Sequence, residues 1–221
     1  MPRESNAARS VRARDIAARL KATYPDAHCE LVFSTPLELL VATILSAQCT
    51  DRQVNIVTAN LFLRYRSAAD YASAPLGQLE SDIRRIGLFR SKARNIKAAC
   101  AALVARHDGN VPASMEALVQ LAGVGRKTAN VVLGNAFHMA SGFVVDTHVQ
   151  RLAARLRLSS AKTPEKIEQD LMKLFPAEEW NLASHWLIWH GRRRCMARNP
   201  DCTSCELRGT CPSAKPAPAG P

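Results

Sequence analysis

The sequence predicts an all-α protein, on three observations. Apolar residues recur at three- and four-residue intervals through nearly the whole chain, which is the period that gives a helix one buried face. Alternating runs of strand type are nearly absent, and Phe143-Val144-Val145 is a short exception. Helix-start signals recur: Thr35-Pro36-Leu37-Glu38 and Thr50-Asp51-Arg52-Gln53 both read as capping boxes, the first with proline at the first helical position.

Roughly ten helices follow from this pattern. A basic first helix, with Ile16, Leu20 and Tyr24 on one face, stops at Pro25. The two capping boxes open helices through Leu37, Leu40, Val41, Ile44 and Leu45, and through Val54, Val57 and Leu61. Leu76, Leu79, Ile83 and Ile86 mark another, which Gly87 ends. Ser91 is expected to cap the next, with Ile96, Cys100, Leu103 and Val104 on its buried side. A short helix starts at Ser114 and reaches Leu121. After Ala122-Gly123-Val124-Gly125 a further helix begins near Arg126, and the last three patterns cover 149–158, 163–175 and 180–190. Residues 212–221 are rich in Pro and Ala and read as a disordered tail.

A chain of 221 residues makes one large domain or two small packed ones, long enough for a core without staples. With 30 Lys and Arg against 19 Asp and Glu, the net charge is +11. That excess favours a polyanionic partner, nucleic acid before an anionic membrane surface. No apolar run approaches the roughly 20 residues of a membrane span, and the N-terminus has no apolar core of a signal peptide. The expectation is a soluble, cytoplasmic protein with reduced thiols.

Seven cysteines, an odd count at moderate density, do not suggest a secreted disulfide scaffold, and four of them cluster. Cys195, Cys202, Cys205 and Cys211 follow the spacing C-x6-C-x2-C-x5-C, within loop-forming residues. Loop thiols so close together in a reducing compartment call for a metal. Zinc would take four thiolates as a tetrahedron, and a [4Fe–4S] cube would take one per iron. Zinc sites usually pair two short knuckles, and only one C-x2-C is present, so the spacing leans toward the cluster. Cys100 lies on an apolar helix face and reads as core.

The segment 121–129, Leu-Ala-Gly-Val-Gly-Arg-Lys-Thr-Ala, sits between two helices. Its glycines permit a tight turn whose backbone N–H groups, at a helix start, suit a phosphate. A glycine-bearing turn between helices can also be only a turn, whereas a Walker A loop is excluded by spacing. Lys127 falls in the first turn of the following helix, where the helix dipole disfavours an ammonium and favours a nucleophilic amine. Asp146 precedes a helix, where an N-cap is the ordinary role.

Taken together, these segments resemble the endonuclease III family, bifunctional DNA glycosylase/AP lyases of the helix-hairpin-helix superfamily. The hairpin, Val145-Asp146-Thr147-His148 and the four-cysteine finish occur in the family's order. Leu45-Ser46-Ala47-Gln48 with Thr50-Asp51, and Ile86-Gly87-Leu88 with Ser91-Lys92-Ala93, match further family segments. The resemblance runs from about residue 10 to 211. Ala122 stands where the family usually has proline, and the 195–202 loop is less basic than usual.

The resemblance implies two helical domains: a six-helix domain at 29–139 carrying the hairpin, and a cluster domain from 1–28 plus 140–211. The active site would lie in the cleft between them. Lys127 would be the nucleophile and Asp146 the second catalytic residue. Cys195, Cys202, Cys205 and Cys211 would hold a [4Fe–4S] cluster. Gln48 would fill the gap left by a flipped base, Leu88 would wedge the opposite strand, and Gly123, Gly125 and Arg126 would meet the backbone. Arg84, Arg85, Arg90, Lys92, Arg94 and Lys97 come with no acid between 83 and 98. Beside the proposed wedge, Arg90 and Lys92 are expected to contact phosphates. The implied partner is double-stranded DNA carrying a damaged pyrimidine or abasic site, met by a monomer.

Overall fold

The computed structural model describes residues 4–215. All regular structure among them is helical. The chain divides into two compact units: one covers the chain up to His28 and from Gly142 onward, the other Cys29–Ser141.

The Cys29–Ser141 unit is built around α2 (Pro36–Ser46), whose residues from Leu39 to Leu45 are all buried. Thr35 Oγ1 accepts from the Glu38 N–H at 3.2 Å, which starts the helix where the sequence places it. Around α2 pack α3 (Asp51–Arg64), α6 (Phe89–His107) and α8 (Arg126–Ala136). Two short helices, α4 (Ala68–Ser73) and α5 (Leu76–Asp82), lie against α6, and the four-residue α7 (Met115–Leu118) leads to α8. The core joins Leu39, Leu40, Leu45, Tyr71, Leu79, Ile83, Ile96, Cys100 and Leu103, so Cys100 is core as expected. Truncating one such leucine to alanine costs about 2–5 kcal/mol.

The other unit contains α1 (Asn6–Thr23), α9 (Thr147–Arg155), α10 (Pro164–Met172), a 3-10 turn (Ala177–Glu179) and α11 (Trp180–Arg193). α11 packs against both α1 and α9 over Ile16, Leu20, Phe143, Leu152, Trp186 and Leu187. Gly191 permits the close approach of α11 to α9, because a Cβ there would lie 2.9 Å from the His148 Cβ. No described helix is long and apolar enough to cross a membrane.

Several details differ from the sequence expectation. Phe143-Val144-Val145 is extended but unpaired, buried against the core, with the Val144 N–H donating to Ser184 Oγ at 2.9 Å. α5 stops at Asp82, and tight turns carry the chain through Ile83–Gly87. α6 begins at Phe89, not after Ser91, because Leu88 in the left-handed region (φ 60°) already starts it. α4 was not expected at all, although Ser67 and Asp70 form a capping box around its first turn. The expected disordered tail falls mostly outside the described residues.

Candidate active site and metal centre

The hairpin forms by local hydrogen bonding. The Leu121 N–H donates to Leu118 O at 3.0 Å and the Val124 N–H to Leu121 O at 3.1 Å, which closes the turn after α7. Gly123 has φ +76° and packs on α6, where a Cβ would come within 2.9 Å of Asn95. Gly125 caps α8 in an extended conformation, with open space around its Cα. The first N–H groups of a helix have no intrahelical acceptor. At the start of α8, Gly125, Arg126 and Lys127 are all exposed. Lys127 makes no ion pair among the described residues and stands at the second position of the helix.

Gln48 and Leu88 are both exposed and both left-handed, with φ of 53° and 60°. A Cβ on Gly87 would lie 4.0 Å from the Gln48 carbonyl oxygen, so the two turns are neighbours. Non-glycine residues held there cost on the order of 1–3 kcal/mol each and persist only where the surroundings enforce them. Leu88 is 61% exposed, which removes the ordinary-core explanation for it.

The basic run separates into two classes. Arg84, Arg85, Arg90 and Arg94 are exposed, and the Arg90 guanidinium lies 5.0 Å from the Phe89 ring centroid. Lys92 does not belong with them. It is 4% exposed, and its ammonium donates to Leu45 O at 2.8 Å and Ala47 O at 2.5 Å. The expected phosphate contact by Lys92 is corrected: the charge is directed inward, onto carbonyls that the end of α2 leaves unpaired. Lys97 does the same for Ala72 O and Ala74 O at the end of α4.

In the other unit, Asp146 is the N-cap of α9. Its Oδ1 accepts from the His148 and Val149 N–H groups, both at 2.8 Å. Its recorded bonds all fall on that one oxygen, so the ordinary capping role occupies only half of the carboxylate.

The four clustered cysteines line one cavity of about 190 Å³ with Leu152, Leu156 and His190. Two arginines of α9 hold the loop: Arg151 donates to Cys195 O and Gly191 O, and Arg155 donates to Cys195 Sγ at 3.2 Å and Met196 O at 2.7 Å. Arg194 ties the same loop through Asp201 at 2.7 Å and Glu206 at 2.9 Å. Arg193 stacks 3.7 Å over the Trp189 ring. Burial pushes the Cys205 thiol up to about 11 and raises that of Cys211. Burial also lowers His190 to about 4, so it is neutral, with Nε2 3.5 Å from Cys205 Sγ and Nδ1 3.1 Å from the Tyr24 hydroxyl. A buried thiol gives up its proton when a metal takes the thiolate. This cysteine-rich segment is a candidate metal centre. Its size is informative: a zinc tetrahedron with bonds of about 2.3 Å holds its sulfurs about 3.8 Å apart. Among the described residues, the trio of ligand-type atoms within 4.8 Å of one another is His190, Cys205 and Glu206, not any three of the four thiols.

Sequence reasoning missed the inward lysines and the left-handed geometry of Gln48 and Leu88. It also gave no role to Arg151 and Arg155, whose contacts to the 191–196 segment appear only in the fold.

Comparison with known proteins follows the same lines. Residues 41–177 match the HhH-GPD superfamily of base excision DNA repair proteins. The chain is 51% identical over 209 residues to endonuclease III of Synechocystis sp., covering 95% of each chain. Two solved structures, a non-covalent endonuclease III–DNA complex and a trapped endonuclease III–DNA covalent intermediate, each share 46% identity and a TM-score of 0.89 with it. Each comparison covers 93% of this chain and 96% of the other.

Proposed function

Because the chain belongs to the endonuclease III family of helix-hairpin-helix base excision repair enzymes, we propose that it removes oxidised or ring-saturated pyrimidines from duplex DNA with Lys127 as nucleophile and then cleaves the strand. The observation that carries this reading is an exposed lysine, with no ion-pair partner among the described residues, in the first turn of the helix that leaves the Gly123–Gly125 hairpin. A lysine in that setting is the group a covalent glycosylase needs, and a related enzyme is known as a trapped covalent intermediate with DNA.

The steps follow from the side chains. The damaged nucleotide leaves the stack, since an amine cannot reach C1′ inside a duplex. Gln48 occupies the gap and Leu88 separates the opposite strand. The neutral Lys127 amine attacks C1′; the N–C1′ bond forms, the glycosidic bond breaks with its electron pair going to the base, and the base anion takes a proton from water. Asp146, through the oxygen not used in capping α9, accepts the proton that Lys127 loses and offsets positive charge on the sugar. Ring opening gives a Schiff base at C1′, which acidifies the C2′ proton. Loss of that proton expels the 3′ phosphate by β-elimination, and hydrolysis restores the amine.

Cys195, Cys202, Cys205 and Cys211 are proposed to hold a [4Fe–4S] cluster. Their gathering around one cavity, the single C-x2-C knuckle and the likeness to endonuclease III support this cluster over a single zinc ion. When bound, the cluster supplies four metal–thiolate bonds that tie the 195–211 loop to the end of α11. Gly123, Gly125, Arg126 and Arg90 are proposed backbone contacts. The enzyme is proposed to act as a monomer in the cytoplasm, where it meets DNA.

Borohydride trapping on DNA with thymine glycol tests the proposal. The expected result is a covalent adduct with the protein as it stands and none with Lys127→Gln, which still binds DNA. An adduct that survives the substitution assigns the nucleophile to another amine.

A further inference from the structure

Lys92 is a buried lysine that pairs with no acid among the described residues. Such groups are rare, because an ammonium away from water needs full compensation. Its compensation comes from one place. The end of α2 leaves several carbonyls without helical donors. Thr43 O accepts from the Ser46 hydroxyl at 2.9 Å and Ser46 O from the Cys49 N–H at 3.0 Å. Leu45 O and Ala47 O accept from Lys92 Nζ. Desolvation disfavours the charge of this amine, and the negative end of α2 opposes that tendency.

Ala47 O belongs to the peptide group that joins Ala47 to Gln48. Holding that oxygen fixes the plane from which Gln48 turns into its left-handed conformation at φ 53°. The main chain of the same lysine is also engaged, since the Lys92 N–H donates to Leu88 O at 3.0 Å and so closes the first turn of α6 on the other left-handed residue. One residue therefore grips both turns: by its side chain the peptide ahead of Gln48, by its backbone the carbonyl of Leu88.

We propose that Lys92 is a positioning residue that sets Gln48 beside Leu88 so that the two enter the duplex as a preformed pair. It touches neither DNA nor the reacting sugar. Its effect falls on the opening of a paired lesion, the step in which an unformed pair would have to be ordered at the moment of insertion. This rests on the roles given above to Gln48 and Leu88.

The experiment compares single-turnover base release from a thymine-glycol duplex with release from the same lesion in an unpaired bubble. Lys92→Met should slow the paired substrate roughly tenfold, the scale of a lost charge-assisted hydrogen bond, and the bubble by less than about twofold. Lys92→Gln, whose amide can still donate to one carbonyl, should recover part of the difference; it carries the test if the methionine variant does not fold. Combining Lys92→Met with Gln48→Ala should be no slower than Gln48→Ala alone, since coupled residues do not add. Equal losses on both substrates, or additive losses in the double variant, would overturn the proposal. If Gln48→Ala itself shows no preference for the paired substrate, the assignment of Gln48 fails first, and that outcome is recognisable on its own.

Discussion

Two glycines two residues apart in the hairpin should respond to alanine in opposite ways. At Gly123 the added Cβ meets a left-handed backbone, φ +76°, and lies 2.9 Å from both the Cβ and Nδ2 of Asn95. The conformational term is about 1–2 kcal/mol and overpacking adds about 1–3 kcal/mol. Restricting the unfolded chain returns about 0.7 kcal/mol. The net loss is roughly 1–4 kcal/mol, or about 3–12 °C in Tm at about 3 °C per kcal/mol for a chain of this size. At Gly125 nothing lies within 4 Å of the new methyl, and the backbone is extended at φ −94°. Stability should fall by no more than about 1 kcal/mol, the difference between glycine and alanine at an N-cap. A phosphate brought onto the start of α8 would have to share that space with the methyl, so affinity for duplex DNA should drop roughly tenfold, one charge-assisted phosphate bond. Thermal unfolding and fluorescence anisotropy on a labelled duplex measure the two effects. If Gly123→Ala melts with the parent and Gly125→Ala binds with the parent's affinity, the hairpin is only a turn and its role in binding is refuted.

Asp146→Asn should keep the α9 cap, since an amide oxygen still accepts from His148 and Val149, and melt within about 1 kcal/mol of the parent while base release falls; Asp146→Ala should lose about a further 1 kcal/mol with the cap. A full rate with the asparagine would leave Asp146 as a cap alone. Arg90→Ala should flatten the slope of log K against log salt by up to about 0.9, whereas Lys92→Gln should leave it unchanged because that charge faces carbonyls. A slope that responds to Lys92 and not to Arg90 would reverse the two assignments. Cys202→Ser should lower iron and sulfide content together with soluble yield, and zinc without iron in anaerobically prepared protein would displace the cluster. Metal loading at pH 8 should release protons, since Cys205 at about 11 is protonated beforehand; chelators should accordingly strip the metal more readily as pH falls.

Helix starts were legible because a cap is local. Thr35, Thr50, Ser114 and Asp146 each accept an N–H two or three residues on, and each could be placed by its neighbours in the chain. Ser67 obeys the same rule with Asp70 in place of the usual Glu or Gln, and α4 escaped notice for that reason. The hairpin and the two catalytic candidates were visible in the same way, as short motifs. Burial of charge was not. Lys92 and Arg90 stand two residues apart in one basic run, and sequence treats them alike. Only packing brings the end of α2 under one side chain and leaves the other outside. The left-handed residues were hidden too, because glutamine and leucine carry none of the signal that glycine does.

α9 joins two ends of the unit that its sequence gives no reason to connect. Asp146 stands at its head, and Arg151 and Arg155, on its later turns, clasp the carbonyl and thiol of Cys195. Nine residues make a rod about 13 Å long, with no glycine or proline to bend it, and Gly191 lets α11 lie close enough to clamp it. A rod held at one end transmits a tilt to the other. Because both arginines hold Cys195 itself, a shift of the 195–211 loop would reach Asp146 along α9 rather than through any flexible connection.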